Sequence, residues 1–261
     1  MLNYLSAELW RMTRRRTVCI GWGIYLLLVV LVSLTIRGNT PWECFIVFQN
    51  FMVVGLYVAF PLAGWAGGGI DRAGGLVNEV AVGLPRTRIY LGKLSAALLL
   101  GMLLFLLTTA AFFLGALTPE AMLAAAGEDR QLMGAGLLLA MCNSLPRYVG
   151  AVSLAYFLAF SLRPSGVGTV LYYLYITVGE LTLAAVRVMG MGTVGNVINH
   201  LAETVRPFLL SNTYFSYGIV SASSALEDGS WPLGNSWLTG ALWLGLTTGL
   251  GLLLFRRREI R

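Results

Sequence analysis

Charge is what this sequence has least of. Only 11% of its 261 residues are Asp, Glu, Lys or Arg, against the roughly 25% of an ordinary soluble domain. Apolar residues make up 57%, so water is the wrong solvent for most of the chain, and a polytopic membrane protein is expected. Lysine is nearly absent. Lys93, the sole one, stands in Gly92-Lys93-Leu94, without the glycines and the hydroxyl of a phosphate-binding G-x-x-x-x-G-K-[ST] loop, so the chain cannot bind ATP by that route. Histidine is limited to His200 and no G-x-S-x-G occurs, which leaves no His-paired metal site and no nucleophile elbow. No catalytic, cofactor or metal site is expected in this chain, and it is not read as an enzyme. Cys19, Cys44 and Cys142 stand singly, with neither zinc spacing nor a disulfide framework, and read as packing residues. Gly190-Met191-Gly192-Thr193-Val194-Gly195 matches G-x-G-x-x-G but has no βαβ pattern around it, so it does not indicate a dinucleotide site.

What is present is a series of long charge-free runs. Residues 1–13 place Leu2, Leu5, Leu9 and Met12 at helical spacing, with Asn3, Ser6, Glu8 and Arg11 on other faces, which predicts a short amphipathic helix on a membrane surface. Three arginines follow, and then the first of six predicted spans. These run over 18–36, 44–68, 94–118, 143–162, 165–186 and 235–255, close to the ~20 residues that cross a bilayer. The first apolar run exceeds the ~7–15 residues of a signal h-region and no small-x-small cleavage site follows, so it is expected to be retained. Apolar sequence from Gln131 to Leu162 is too long for one straight span, and a kink at Pro146 or a re-entrant outer piece is expected. Residues 187–231 read as a long, more polar outer loop. Trp22, Trp42, Trp65 and Trp231 read as interface anchors. Gly64/Gly68 and Gly245/Gly249 have the G-x-x-x-G spacing of close helix pairs, which a dimer of such chains could use.

The net charge of +6 comes from arginines at the ends of the apolar runs, so no nucleic-acid partner is implied. With both termini inside, Arg11, Arg14, Arg15, Arg16, Arg72, Arg86, Arg88, Lys93, Arg163, Arg256, Arg257, Arg258 and Arg261 face the cytoplasm. That is thirteen of the eighteen basic residues, and the bias predicts an N-in, C-in topology with one domain over 1–261.

One segment breaks the apolar monotony between spans two and three: Asp71 to Lys93, DRAGGLVNEVAVGLPRTRIYLGK. Leu76, Val80 and Leu84 fall at i, i+4 and i+8 and give a helix one apolar edge, with Asp71, Arg72, Asn78 and Glu79 as polar contacts.

In its order of parts, an amphipathic helix, a basic turn, two spans, this cytoplasmic segment and four more spans, the chain resembles the membrane subunit of an ABC-2 type transporter. The specific likeness lies in Asp71, Gly75, Leu76, Glu79, Gly83, Leu84, Pro85, Arg86, Tyr90 and Lys93. Bacteriocin or lantibiotic-immunity permeases are nearest in size and in their short loops. The resemblance implies an all-α fold whose cytoplasmic segment is a coupling helix docked on a separate ATPase subunit, present in two copies, that holds ATP and magnesium. It implies a second permease copy or a diverged permease in the same bacterial cytoplasmic membrane, and outward movement of an amphipathic peptide antibiotic, drug or lipid-like molecule. Asp71, Arg72, Gly75, Leu76, Glu79, Val80, Leu84, Pro85 and Arg86 would then be the docking positions, with Glu79 and Arg86 the most important. The interruption at Pro146 and Arg147 departs from the family pattern.

Two charges lie inside predicted spans. Arg147 precedes Arg163 by sixteen residues and Glu180 follows Pro164 by sixteen, so antiparallel spans would bring both to one depth, about 24 Å from their cytoplasmic ends. An unpaired charge there is costly, and a pair that staples two helices or gates substrate is expected. Two other classes stay open beside the transporter: a non-transporting membrane scaffold or sensor, and an intramembrane hydrolase, for which the sequence offers little beyond Glu180.

Overall fold

The structure is a computed structural model that describes residues 2–37, 41–67, 79–116, 127–162, 165–179, 192–205, 208–210 and 233–257. Among the described residues it is all helix, without a strand. Helix α1 is Leu2–Thr13, α2 Arg16–Thr35, α3 Pro41–Gly67 and α4 Arg86–Ala116. Helix α5 is Gly127–Ser161, α6 Ser165–Leu174 with a π-helical turn over Tyr175–Gly179, α7 Gly192–Val205 and α8 Leu233–Arg257.

Among the described residues, three stretches are long and apolar enough to cross a membrane: Arg16–Thr35, Arg86–Ala116 and Gly234–Arg256. The protein is a membrane protein, and its surface is built accordingly. Ile24, Leu27, Leu28 and Leu31 on α2, Leu99, Leu103 and Leu106 on α4, and Leu242, Leu246, Leu250 and Leu253 on α8 all point outward. Lipid solvates leucine as well as a protein core does, so burial is left to side chains that pack closely. They include Ala59, Ala63, Ala96, Ala97, Ala151 and Ala155, interleaved with Tyr90, Tyr156, Phe160 and Phe255 and with inward leucines such as Leu62 and Leu104. Helix α5 is the hub, lying against α3, α4, α6 and α8, while α4 also carries α1 and α2.

Several boundaries differ from those the sequence predicts. The third span was expected at 94–118, but α4 begins at Arg86, because Pro85 fixes the backbone at the first turn and its carbonyl accepts from the Arg88 and Ile89 amides at 2.9 and 3.2 Å. The fourth was expected at 143–162 after a break. In place of a re-entrant piece, helix α5 continues through Pro146, and α8 closes on it there, since a Cβ at Gly240 would overlap the Pro146 carbonyl. Of the fifth, expected at 165–186, the part beyond Gly179 lies outside the described residues. The predicted outer loop contains α7, whose Val194, Val197, Ile198, Leu201 and Val205 recur at helical spacing; Gly192 and Gly195 of the G-x-G-x-x-G match sit in that helix. Cys19 and Cys142 are exposed instead of packed. Gly64, Gly245 and Gly249 have open space where a Cβ would stand, so within the chain they mark no close approach.

The turn between α1 and α2, the end of α3, the start of α4 and the end of α8 gather at one end of the bundle. Arg15, just before α2, donates to the Trp65 carbonyl near the end of α3 at 3.3 Å. Arg86, opening α4, donates to the Phe255 and Arg256 carbonyls at the end of α8 at 3.2 and 3.0 Å. A guanidinium on the last carbonyls of a helix satisfies groups that have no intrahelical partner and opposes the negative end of the helix dipole.

Candidate functional site

At this end of the bundle, residues 79–85 form a stiff turn. Glu79 to Ala81 are helical, and the helix is stopped by a Schellman arrangement: the Gly83 amide donates to Val80 at 2.9 Å and the Leu84 amide to Glu79 at 3.3 Å. Gly83 has φ +86, in the left-handed region that glycine enters without a Cβ clash. The predicted helix with Leu76, Val80 and Leu84 along one edge is therefore interrupted, and Leu84 lies beyond its stop. Val80 and Leu84 are half-buried against the core. Val82, at the tip, is 82% exposed.

The turn is tied down by the only lysine in the chain. Lys93, on α4, is completely buried, and its ammonium donates to Glu8 Oε1 of α1 at 2.6 Å and to Glu79 Oε1 of the turn at 2.8 Å. Tyr4 donates its hydroxyl to Glu79 Oε2 at 3.0 Å, its ring lying 5.6 Å from the ammonium. Arg11 completes the set by pairing with the other oxygen of Glu8. Two acids thus meet two bases, which is the condition under which buried charges are tolerated. Burial, and then the charges of Glu8 and Glu79, push the Tyr4 phenol well above its ordinary pKa and keep it a donor. Glu8 was expected on the polar face of α1. It is instead 5% exposed on the face formed by Tyr4, Leu5, Leu9 and Met12, because Lys93 waits beneath it.

A second set of fixings runs from Arg86 to α8. Its guanidinium lies 5.9 Å from the Phe255 ring, and Phe255 belongs to a cluster in which Phe160–Phe255, Tyr90–Tyr156 and Tyr90–Phe160 ring centroids stand 4.9, 5.2 and 5.2 Å apart. Each such pair contributes about 0.5–1.5 kcal/mol beyond area burial. Displacement of the turn is therefore resisted by α1, α4, α5 and α8 together.

A separate polar cluster sits between α5 and α8. Arg147 is 3% exposed; its Nε donates to Ser236 Oγ at 3.1 Å and one terminal nitrogen to the Leu209 carbonyl at 2.8 Å, while Ser236 donates to Asn143 Oδ1. A cavity of about 20 Å³, room for one water, is bounded by Tyr25, Thr108, Ser144 and Arg147 among others. The polar residues that looked like an interruption of the fourth span are the glue of a helix pair.

Of the predicted docking positions, Asp71, Arg72, Gly75 and Leu76 lie outside the described residues, as does Glu180, the expected partner of Arg147. Glu79 and Arg86, expected to reach a partner protein, are brought together with Lys93 and with the end of α8 as internal fixings. Tyr4, Glu8 and Val82 were missed. For Glu8 the available signal was a lone acid one turn from Leu5 and from Met12, together with a single lysine in the chain. No protein-family model matches this chain, and no curated protein matches it.

Proposed function

We propose that this chain is the transmembrane subunit of an ATP-binding cassette exporter of the ABC-2 type. Six spans place both termini in the cytoplasm of a bacterial cell, and the 79–85 turn docks on a separate ATPase subunit. ATP and magnesium belong to that subunit, two copies of which serve a pair of permease chains. Closure of the nucleotide-bound pair pulls on the turn, and the helices fixed to it rock to move an amphipathic peptide, drug or lipid-like molecule outward. The chain itself catalyses no reaction in this reading.

The observation that carries the reading is the contrast within one turn. Val82 is bare at its tip, while Glu79 and Arg86 on either side anchor it to α1, α4 and α8. A solvated loop that merely carried topogenic arginines would need no such bracing. The test is purification from the native membrane in mild detergent, followed by mass spectrometry of what is retained. A P-loop ATPase held by the wild type and lost in Val82→Asp supports the docking turn. If a well-folded wild type brings down no ATPase even after crosslinking, the transporter reading fails and a membrane scaffold takes its place.

A further inference from the structure

The outward face of α1 carries a feature that transport does not require. Its inward face, Tyr4, Leu5, Glu8, Leu9 and Met12, is committed to α4 and the turn. Opposite lie Asn3, Ser6, Ala7, Trp10 and Thr13, polar or small except for Trp10, which is 61% exposed. The guanidinium of Arg14 lies over the Trp10 ring at 4.6 Å. Of the four arginines between residues 11 and 16, Arg11 is engaged by Glu8 and Arg15 by the Trp65 carbonyl, whereas Arg14 and Arg16 are exposed.

The depth of this corner follows from its neighbour. Helix α2 starts at Arg16 and already exposes Ile20 and Ile24, side chains that need acyl surroundings. Arg14, just before α2, therefore sits ahead of the hydrocarbon at headgroup level, and Trp10, whose ring lies under its guanidinium, shares that depth. An indole at that depth inserts beside the glycerol region, and an arginine stacked on it offers a planar donor array suited to phosphate. We propose that Trp10 and Arg14, with Arg16, form a binding site for the headgroup of an anionic phospholipid. Charge complementarity selects this occupant: the corner presents two exposed guanidinium groups and no exposed acid between residues 2 and 20. The site lies on the helix whose other face holds Glu8 against Lys93, so lipid bound there steadies α1 on the turn.

The test is fluorescence quenching in nanodiscs of phosphatidylcholine containing a minority of dibrominated phosphatidylglycerol or, separately, the same fraction of dibrominated phosphatidylcholine. The difference between wild type and Trp10→Phe isolates the quenching of Trp10. We expect the anionic brominated lipid to be enriched about fivefold over the zwitterionic one at low salt. This preference should shrink toward unity in 0.5 M NaCl and should be lost in Arg14→Gln but kept in Arg14→Lys. Equal quenching by the two lipids in the wild type overturns the proposal, as does a preference unchanged by salt or by Arg14→Gln. The wild-type salt titration decides the matter even if Arg14→Gln fails to fold. No ATPase is present in the assay, so its outcome is independent of the transporter reading.

Discussion

Replacing Lys93 by Met removes the one cation that Glu8 and Glu79 share while leaving a side chain of similar length to fill its place. The two carboxylates take the same ammonium at 2.6 and 2.8 Å, so their near oxygens are no further apart than the sum of these distances, and at about 5 Å and an effective dielectric of ~20 their mutual repulsion is about 3 kcal/mol. Removing one partner from a buried ionic cluster costs about 3–5 kcal/mol in general, of the same order. Lys93→Met should therefore lower stability by roughly 3 kcal/mol in SDS titration of the protein in mixed micelles. Neutralising the acids in the same background, Lys93→Met with Glu8→Gln and Glu79→Gln, should recover most of that loss, because two uncharged amides replace two carboxylates that have lost their shared cation. Glu8→Gln with Glu79→Gln beside an intact Lys93 should be about as unstable as Lys93→Met, since it leaves the cation buried alone. The reasoning fails if Lys93→Met unfolds within about 0.5 kcal/mol of wild type. It fails equally if the triple variant is no better than the single one.

Other expectations follow from the same contacts. Gly240→Ala sets a Cβ against the backbone of Pro146, which cannot rotate away, so α5 and α8 must part; a loss of about 1–3 kcal/mol is expected in the same titration. Ser236→Ala leaves Arg147 and Asn143 each short of a partner in a buried site, and should destabilise by about 1–3 kcal/mol, with Ser236→Thr much milder. Tyr4 has its pKa raised on folding, so its contribution is complete below the unfolded value of about 10 and is lost as pH rises beyond it, where the unfolded chain releases a proton that the folded chain keeps. Melting temperature should thus fall more steeply between pH 9.5 and about 11 in wild type than in Tyr4→Phe.

Three of the spans were legible because a bilayer imposes length and apolarity on a continuous stretch, and α2 and α8 lie within two residues of their expected bounds. The 71–93 segment was legible as special because charge and glycine interrupt an apolar sequence there, but the helix stop at Gly83 was not read, and the predicted apolar edge ran through it to Leu84. Its partners were not legible. Glu8 is separated from Lys93 by 85 residues and Ser236 from Asn143 by 93, and no local pattern records such a meeting. Amphipathic periodicity places every charge on the wet face, and so it misassigns an acid whose neutralising base arrives from another helix. The length of the apolar run pointed to a kink at Pro146 or a re-entrant piece; a helix held between α3, α4 and α8 continues through the proline although one amide is missing.

The roles of Glu79 and Val82 separate in a way that transport would expose. A docking element passes on a displacement only if its attachment to the helices is stiffer than its attachment to the driving subunit. Val82 offers surface to a partner, whereas Glu79 is only partly exposed and both its oxygens are engaged within the chain, by Lys93 and Tyr4. Glu79→Gln keeps a hydrogen-bond acceptor for one of these donors but removes the charge that holds the turn to α4, weakening the fixing by about 1–3 kcal/mol. In the transporter reading, Glu79→Gln should still retain the ATPase on purification and still hydrolyse ATP, yet substrate should no longer accelerate that hydrolysis. Val82→Asp should instead lose the ATPase altogether. If Glu79→Gln also releases the ATPase while its thermal stability matches wild type, the carboxylate contacts the partner directly and is not an internal brace. If substrate still accelerates hydrolysis in Glu79→Gln as in wild type, the turn does not carry the stroke through Lys93.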